Sequence, residues 1–238
     1  MASVNFYLVD AFVAHTIDLM RVAEDSRLTI TGLLLELEKS LMESLASETV
    51  GARTKKRMEA MLVQARAQVA STYATLETSH SSALLSVAGA EVVFFNKALK
   101  AGMGAAFPSI SLTEEQLLAA ASNVLIEGAP SSEWWKGQKQ SFQQLFAREI
   151  RMGYLQGESV KQLTERVRGL SSSRSIQYRG TDGKLKTTPY YSGGVSSMSI
   201  RQAEALARTS VQAVAVFAYS LFVVQQDSWK GAGWTGLL

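Results

Sequence analysis

The sequence predicts a mainly α protein: a long antiparallel helical hairpin followed by a smaller helical domain with one long basic loop or short β-hairpin. Three observations predict it. Only three prolines occur in 238 residues, at 108, 130 and 189, and long proline-free segments permit long helices. Apolar residues recur at three- and four-residue steps through most of the first hundred positions, the period of an amphipathic helix. One stretch, 169–198, loses that period and is rich in Ser, Gly and Thr. The expected division is a long hairpin over 1–107 and a second helical domain over 108–238, with a flexible loop at 169–198.

The first helix is expected over 4–46. Leu33, Leu34, Leu37, Leu41 and Leu45 form its apolar stripe, with Glu36, Glu38, Lys39 and Glu43 between them. Phe6, Val9, Val13, Ile17 and Met20 continue a stripe upstream, and Gly32 weakens the helix locally. Glu48-Thr49-Val50-Gly51 is the natural break. The second helix is expected over 52–100. Its first turn holds Arg53, Lys55, Lys56 and Arg57, against the helix dipole, which favours cations at the other end. Met58, Met61, Leu62, Ala65, Val69, Tyr73 and Leu76 mark its apolar face. Two such helices joined by a short turn make an αα-hairpin with coiled-coil-like packing.

Gly102-Met103-Gly104 to Pro108 breaks the chain. Thr113 and Gln116 have capping-box spacing, and a short helix is expected through Leu125 until Gly128-Ala129-Pro130 stops it. A Ser then starts the Trp134-Trp135 helix, whose buried stripe is Phe142, Leu145, Phe146 and Ile150. Gly153 and Gly157 end it, and Ser159 and Gln162 cap another short helix. Within 169–198, Asp182-Gly183 lies between two strand-like runs, a hairpin-turn signal. Ser199-Ile200-Arg201-Gln202 caps the last helix, which turns almost wholly apolar over Val211–Val224; after Gln225 an extended tail is expected.

Composition narrows the function classes. The chain is 47% hydrophobic and 19% charged, which suits a folded chain with a real core. It contains no Cys, so disulfides, zinc–thiolate sites and thiol nucleophiles are excluded. The start, MASVNFYLVDAF, has neither a basic n-region nor a clean apolar h-region, so no signal peptide is expected. Val211–Val224 is fourteen residues and contains Gln212 and Tyr219. A spanning helix needs about 20 apolar residues, so a buried helix is expected there and a membrane partner is not. Net charge is +3, unevenly placed: residues 1–147 carry 12 Lys/Arg and 15 Asp/Glu, residues 148–238 carry 12 and 6. A basic half suits nucleic acid or an acidic partner, or is an ordinary solvated surface.

No enzyme is expected. The two histidines, His15 and His80, stand apart on long helices. There is no metal motif, nucleophile elbow, P-loop or dinucleotide fingerprint. Carboxylates such as Glu114 and Glu115 read as capping and solvated faces rather than acid–base dyads. The expected sets of catalytic residues, metal ligands and cofactors are therefore empty.

Two stretches carry a resemblance. GAPSSEWWKGQKQSFQQLFAREIRMGYLQGESVKQLTERVRG covers 128–169, and SIRQAEALARTSVQAVAVFAYSLFVVQQDSWKGAGWT covers 199–235. In this order, separated by a variable loop, they resemble the phage head morphogenesis family, the Mu F-like minor head proteins. The matching features are Trp134/Trp135 at a helix start, the Gly153/Gly157/Glu158 step, and Ala207-Arg208-Thr209. Relatives commonly continue into a compact Trp-led segment, and their last helix is more polar. This chain stops at Trp234-Thr235-Gly236-Leu237-Leu238, and its last helix is unusually apolar.

The resemblance implies a structural, portal-associated minor head protein of a tailed phage, in the capsid interior near the portal vertex and in host cytoplasm during assembly. Its implied partners are the portal protein, packaged double-stranded DNA, and other head proteins or copies of itself. Under that reading Arg148, Arg151, Lys161, Arg166, Arg168, Arg174, Arg179, Lys184 and Lys186 face DNA, and Trp134, Trp135, Arg208, Val211, Phe217 and Phe222 are assembly-interface candidates, with Arg208 a helix-junction anchor. Three alternatives stay open: an ejected inner-head protein touching the host membrane, a helical adaptor unrelated to phage, and the carrier half of a toxin, against which the short tail argues.

Overall fold

The computed structural model describes the backbone of residues 2–47, 55–103 and 109–231, and side chains over 7–47, 55–102 and 109–225. It is mainly helical. The order is α1 (Ala2–Ser47), α2 (Lys55–Met103), α3 (Glu114–Ser122), β1 (Leu125–Ile126), β2 (Ala129–Pro130), α4 (Ser131–Leu155), α5 (Val160–Arg168), β3 (Gly169–Arg179), β4 (Leu185–Gly193) and α6 (Val195–Gly231). Each strand pair is a separate two-stranded antiparallel sheet.

Contacts divide the chain into two units that do not follow chain order. The first gathers Met1–Asp25, His80–Ser131 and Arg208–Leu238; the second gathers Ser26–Ser79 and Ser132–Ala207. This differs from a division at 107/108 because α1, α2 and α6 are each long enough to contribute to both units.

In the first unit, α1 and α2 run antiparallel: Leu8 lies against Gly102, Phe12 against Phe94, and His15 against Glu91. The core is Ala23, Leu84, Val87, Ala88, Ala120, Ala121, Val211, Val214, Ala215 and Ala218. Six of these ten are alanines, so the helix backbones pack closely and dispersion contacts are dense. Rings extend this core: Phe12, Phe94, Phe95 and Phe222 are linked edge-on or tilted, with centroids 5.1 to 6.0 Å apart.

In the second unit the expected stripes are the core. Leu34, Leu37, Leu41 and Leu45 of α1 are buried, as are Met58, Met61, Leu62, Ala65, Val69, Tyr73 and Leu76 of α2. Phe142, Phe146 and Ile150 of α4, Leu163 and Val167 of α5, and Ile200, Ala203 and Leu206 of α6 join them. Trp135 meets the Tyr73 ring at 6.4 Å.

Both capping boxes form. Thr113 accepts from the Gln116 amide while Gln116 returns to the Thr113 amide, and Ser159 and Gln162 repeat the pattern. Other expectations are corrected. α3 ends at Ser122, and Leu125–Ile126 pair with Ala129–Pro130 across Glu127 and Gly128, both at positive φ (50° and 87°). Gly153 lies inside α4, which runs to Leu155; the left-handed turn is at Gly157, with φ 68°. The stretch 169–198 is mostly an ordered hairpin, and α6 begins at Val195, so Ser199 is a buried helical residue rather than a cap. Its hydroxyl lies 2.5 Å from the Tyr73 hydroxyl. α6 continues to Gly231, past the extended tail expected after Gln225. The break at 48–51, Arg53 and residues 104–108 and 232–238 lie outside the described residues.

The largest correction concerns α1. Val9, Val13, Ile17 and Met20 are not core; they are 44% to 59% exposed. The half-buried line is Leu8, Ala11, His15 and Leu19, leading to buried Ala23. This segment carries two apolar lines, and periodicity alone does not say which one faces inward.

Candidate functional site

All nine basic candidates belong to the second unit. The turn from α4 to α5 shows how they are used. A Cβ at Gly153 would collide with the Leu163 side chain and lie 2.6 Å from a Glu158 carboxylate oxygen. Glycine there lets α5 close on α4. Gly157 supplies the positive φ that a left-handed helix end favours. Glu158 then faces Arg166: Nε and Nη2 of Arg166 each donate to Glu158 at 2.6 Å, Nη1 donates to Glu149 at 3.0 Å, and Nη2 also reaches Gln156 at 2.7 Å. The hydrogen bonds from Arg166 hold the Glu158 carboxyl below the usual range; Arg148 first, and then Arg166, do the same for Glu149. One guanidinium, with its planar fork of donors, ties both helices and their turn.

Five more candidates are engaged. Arg151 binds Glu59 of α2 through two bonds of 3.0 and 2.8 Å. Arg168 donates to Glu38 of α1 at 2.6 Å and lies 4.9 Å over the Tyr191 ring. Glu38 is buried, and that burial raises its pKa against the opposing pull of Arg168. Lys186 pairs with Asp182 at 3.3 Å across the hairpin turn. Arg179 bonds the Gly183 carbonyl at 2.9 Å, and Arg148, largely exposed, pairs with Glu149.

Lys161, Arg174 and Lys184 are exposed and have no side-chain ion pair among the described residues. Most of the expected basic set is therefore engaged within the unit, and for Arg151 and Arg168 the spacing could not reveal it because their acids lie far away in sequence. Arg168 and Glu38 are 130 residues apart.

The net charge of the unit remains positive. The second unit holds 19 Lys and Arg against 12 Asp and Glu, net +7; the first holds 5 against 9, net −4. Grouping by contact separates charge more sharply than chain order does.

The assembly candidates divide by burial. Trp135 (1%), Val211 (0%) and Phe222 (1%) are core residues, so they offer no surface. Trp134 and Phe217 are half-buried, Phe217 packing against the first unit's core. Arg208 is exposed and makes no ion pair among the described residues, so it anchors no junction there.

Sequence reasoning missed two polar pairs in the first unit, one part-buried and one buried. His15 Nε2 lies 2.7 Å from Glu91 Oε1, with the His15 ring stacked 3.7 Å from Phe94. His80 Nε2 lies 2.8 Å from the Ser210 hydroxyl, and burial pushes His80 down to about 4. A cleft of about 320 Å³ beside the first pair is lined by Tyr7, Asp10, His15, Asp18, Phe94 and Lys97, among others. Among the described residues, no three His, Asp or Glu side chains gather as a metal site requires. By length and composition, Lys55–Gly102 and Val195–Gln225 are apolar enough to cross a membrane. Core helices pass the same test, and the Val211, Val214, Ala218 and Phe222 face of α6 is buried.

No protein-family model matches the chain, and no curated protein or solved structure matches it.

Proposed function

We propose that this chain is a structural minor head protein of a tailed bacteriophage, bound to the portal inside the capsid. There it acts in head assembly and in DNA packaging or ejection. The observation that carries the reading is the ordered pair of stretches at 128–169 and 199–235, with the Trp134/Trp135, Gly153/Gly157/Glu158 and Ala207-Arg208-Thr209 features in the order of the phage head morphogenesis family. The packing supports it by giving these spacings physical roles. Trp135 and Ala207 fill the core, while Gly153, Gly157 and Glu158 build the turn that Arg166 locks. The DNA-facing part of the proposal narrows to Lys161, Arg174 and Lys184, on a unit of net charge +7. The reading of a host-membrane contact through Val211–Val224 is disfavoured, because its Val211, Val214, Ala215, Ala218 and Phe222 face is core.

Co-expression with the ring-forming portal protein of the phage or prophage that encodes it tests the reading. The chain is expected to migrate with the portal ring through size exclusion. Elution away from the ring, with both proteins soluble, rejects portal binding and favours the unrelated-adaptor reading.

A further inference from the structure

The outward face of α1 in the first unit is apolar and has no partner among the described residues. Val9 (59% exposed), Val13 (55%), Ile17 (44%) and Met20 (56%) follow one another at steps of four, four and three. They form one stripe about three turns long. Among the described residues, thirteen of the eighteen exposed large hydrophobics lie in this unit, and the stripe is their longest run along one helix.

Its flanking charges indicate what covers it. Asp10 and Arg21 are eleven residues apart, close to three whole turns, so they lie on one line beside the stripe. Val9 and Met20 have the same spacing within the stripe itself. Asp10 is exposed and has no ion pair among the described residues. Arg21 has only an exposed i,i+3 pair with Asp18, at 2.8 Å and with side chains 75% and 64% exposed, a kind of pair that holds its geometry weakly.

We infer that α1 pairs with α1 of a second copy, antiparallel, about a two-fold axis near residues 15 and 16. In an antiparallel pair the same flank of each helix faces the other. Asp10 of each copy then meets Arg21 of its mate, making two identical ion pairs, while Val9 and Val13 interdigitate with Ile17 and Met20 across the axis. A closed two-fold interface of this kind is self-complementary. Parallel pairing puts this flank of the two helices on opposite sides of the seam, which leaves Asp10 and Arg21 without partners across it. A bilayer gives Asp10 no counter-charge, and the unit's net −4 disfavours an anionic one. This inference does not rest on the phage-head reading.

Sedimentation equilibrium of the full chain tests it with a charge swap. Wild type is expected to dimerise reversibly, more weakly at high salt because the pairs are exposed. Asp10→Arg and Arg21→Asp alone each replace two attractions by two repulsions, raising the dimer dissociation constant roughly tenfold. The double variant, with both charges exchanged, returns it to near the wild-type value. Ile17→Glu abolishes the dimer, and circular dichroism checks that each variant is folded. The chain has no Cys, so Ile17→Cys is expected to oxidise to a cross-linked dimer while Val93→Cys does not. A chain that stays monomeric, or a double variant as weak as the single ones, overturns the proposal. So does flotation with neutral phosphatidylcholine vesicles that Ile17→Glu prevents, since the face then meets lipid.

Discussion

The backbone of Arg179, at the end of β3, runs directly against Gly32 of α1: a Cβ on Gly32 would collide with the Arg179 carbonyl oxygen and sit 3.5 Å from the Tyr178 ring. Both residues belong to the second unit. Gly32 leaves room for the hairpin to dock on the helix, and that contact is the reason a helix-weakening residue stands there.

The sign of one substitution follows. In an open helix, Gly→Ala stabilises by about 1 kcal/mol. At Gly32 the added methyl meets backbone, which cannot rotate aside, and overpacking of this kind costs about 1–3 kcal/mol. Gly32→Ala is expected to destabilise by urea unfolding and to speed hydrogen exchange of amides in 169–193. A stabilised variant with unchanged exchange contradicts the docking. Gly137, where a Cβ meets nothing within 4 Å, is the control: Gly137→Ala is expected to stabilise.

Arg166 gives a second test. Its two carboxylate partners sit on α4 (Glu149) and within the α4–α5 turn (Glu158). Arg166→Ala is expected to lower the urea midpoint, modestly because the network is partly exposed. Arg166→Lys recovers little, because a point charge cannot reproduce the fork. Lys161→Ala, on the same short helix, is expected to change stability by under about 0.5 kcal/mol. Equal losses at both sites refute the lock.

His80 sets a pH dependence. Buried beside Ser210, it titrates near 4 in the fold and near 6.5 when unfolded. The unfolded chain thus binds more protons between those values. Stability is flat above about pH 6.5 on this account and falls as pH drops toward 4, by on the order of 3 kcal/mol in total. Glu91, raised by burial, contributes with the opposite sign at the acidic end. The difference between wild type and His80→Gln, followed by denaturant unfolding at each pH, isolates the histidine. A pH-independent difference rules out the assignment.

Salt dependence tests the DNA-facing residues. If Lys161, Arg174 and Lys184 contact phosphates, log K against log salt has a slope near −3 for these three. Replacing all three with Ala is expected to flatten it by about that amount, whereas Arg168→Ala acts through stability instead. Binding that ignores salt removes DNA from the account.

What could be read from the sequence was local. Both capping boxes, the Asp182-Gly183 turn and the stripes of α2 and α4 depend on neighbours within a turn or two, and they formed as their spacing implies. Long-range choices were not legible. Val9 and Leu8 both lie on apolar lines of α1, and only the packing of α2 decides that Leu8 faces inward. Ser199 looked like a cap because nothing nearby announces Tyr73, 126 positions away, as its partner. Arg168 and Arg151 looked free for the same reason: Glu38 and Glu59 lie on the first two helices, remote in sequence from them.

The central claim is that this is a head protein, and quantitative mass spectrometry of purified heads tests it most directly. The account predicts the chain in DNA-filled heads at low copy, in fixed ratio to the portal, and retained after external proteins are stripped with protease. Its absence from heads, while it accumulates in the infected or induced cell, contradicts the account.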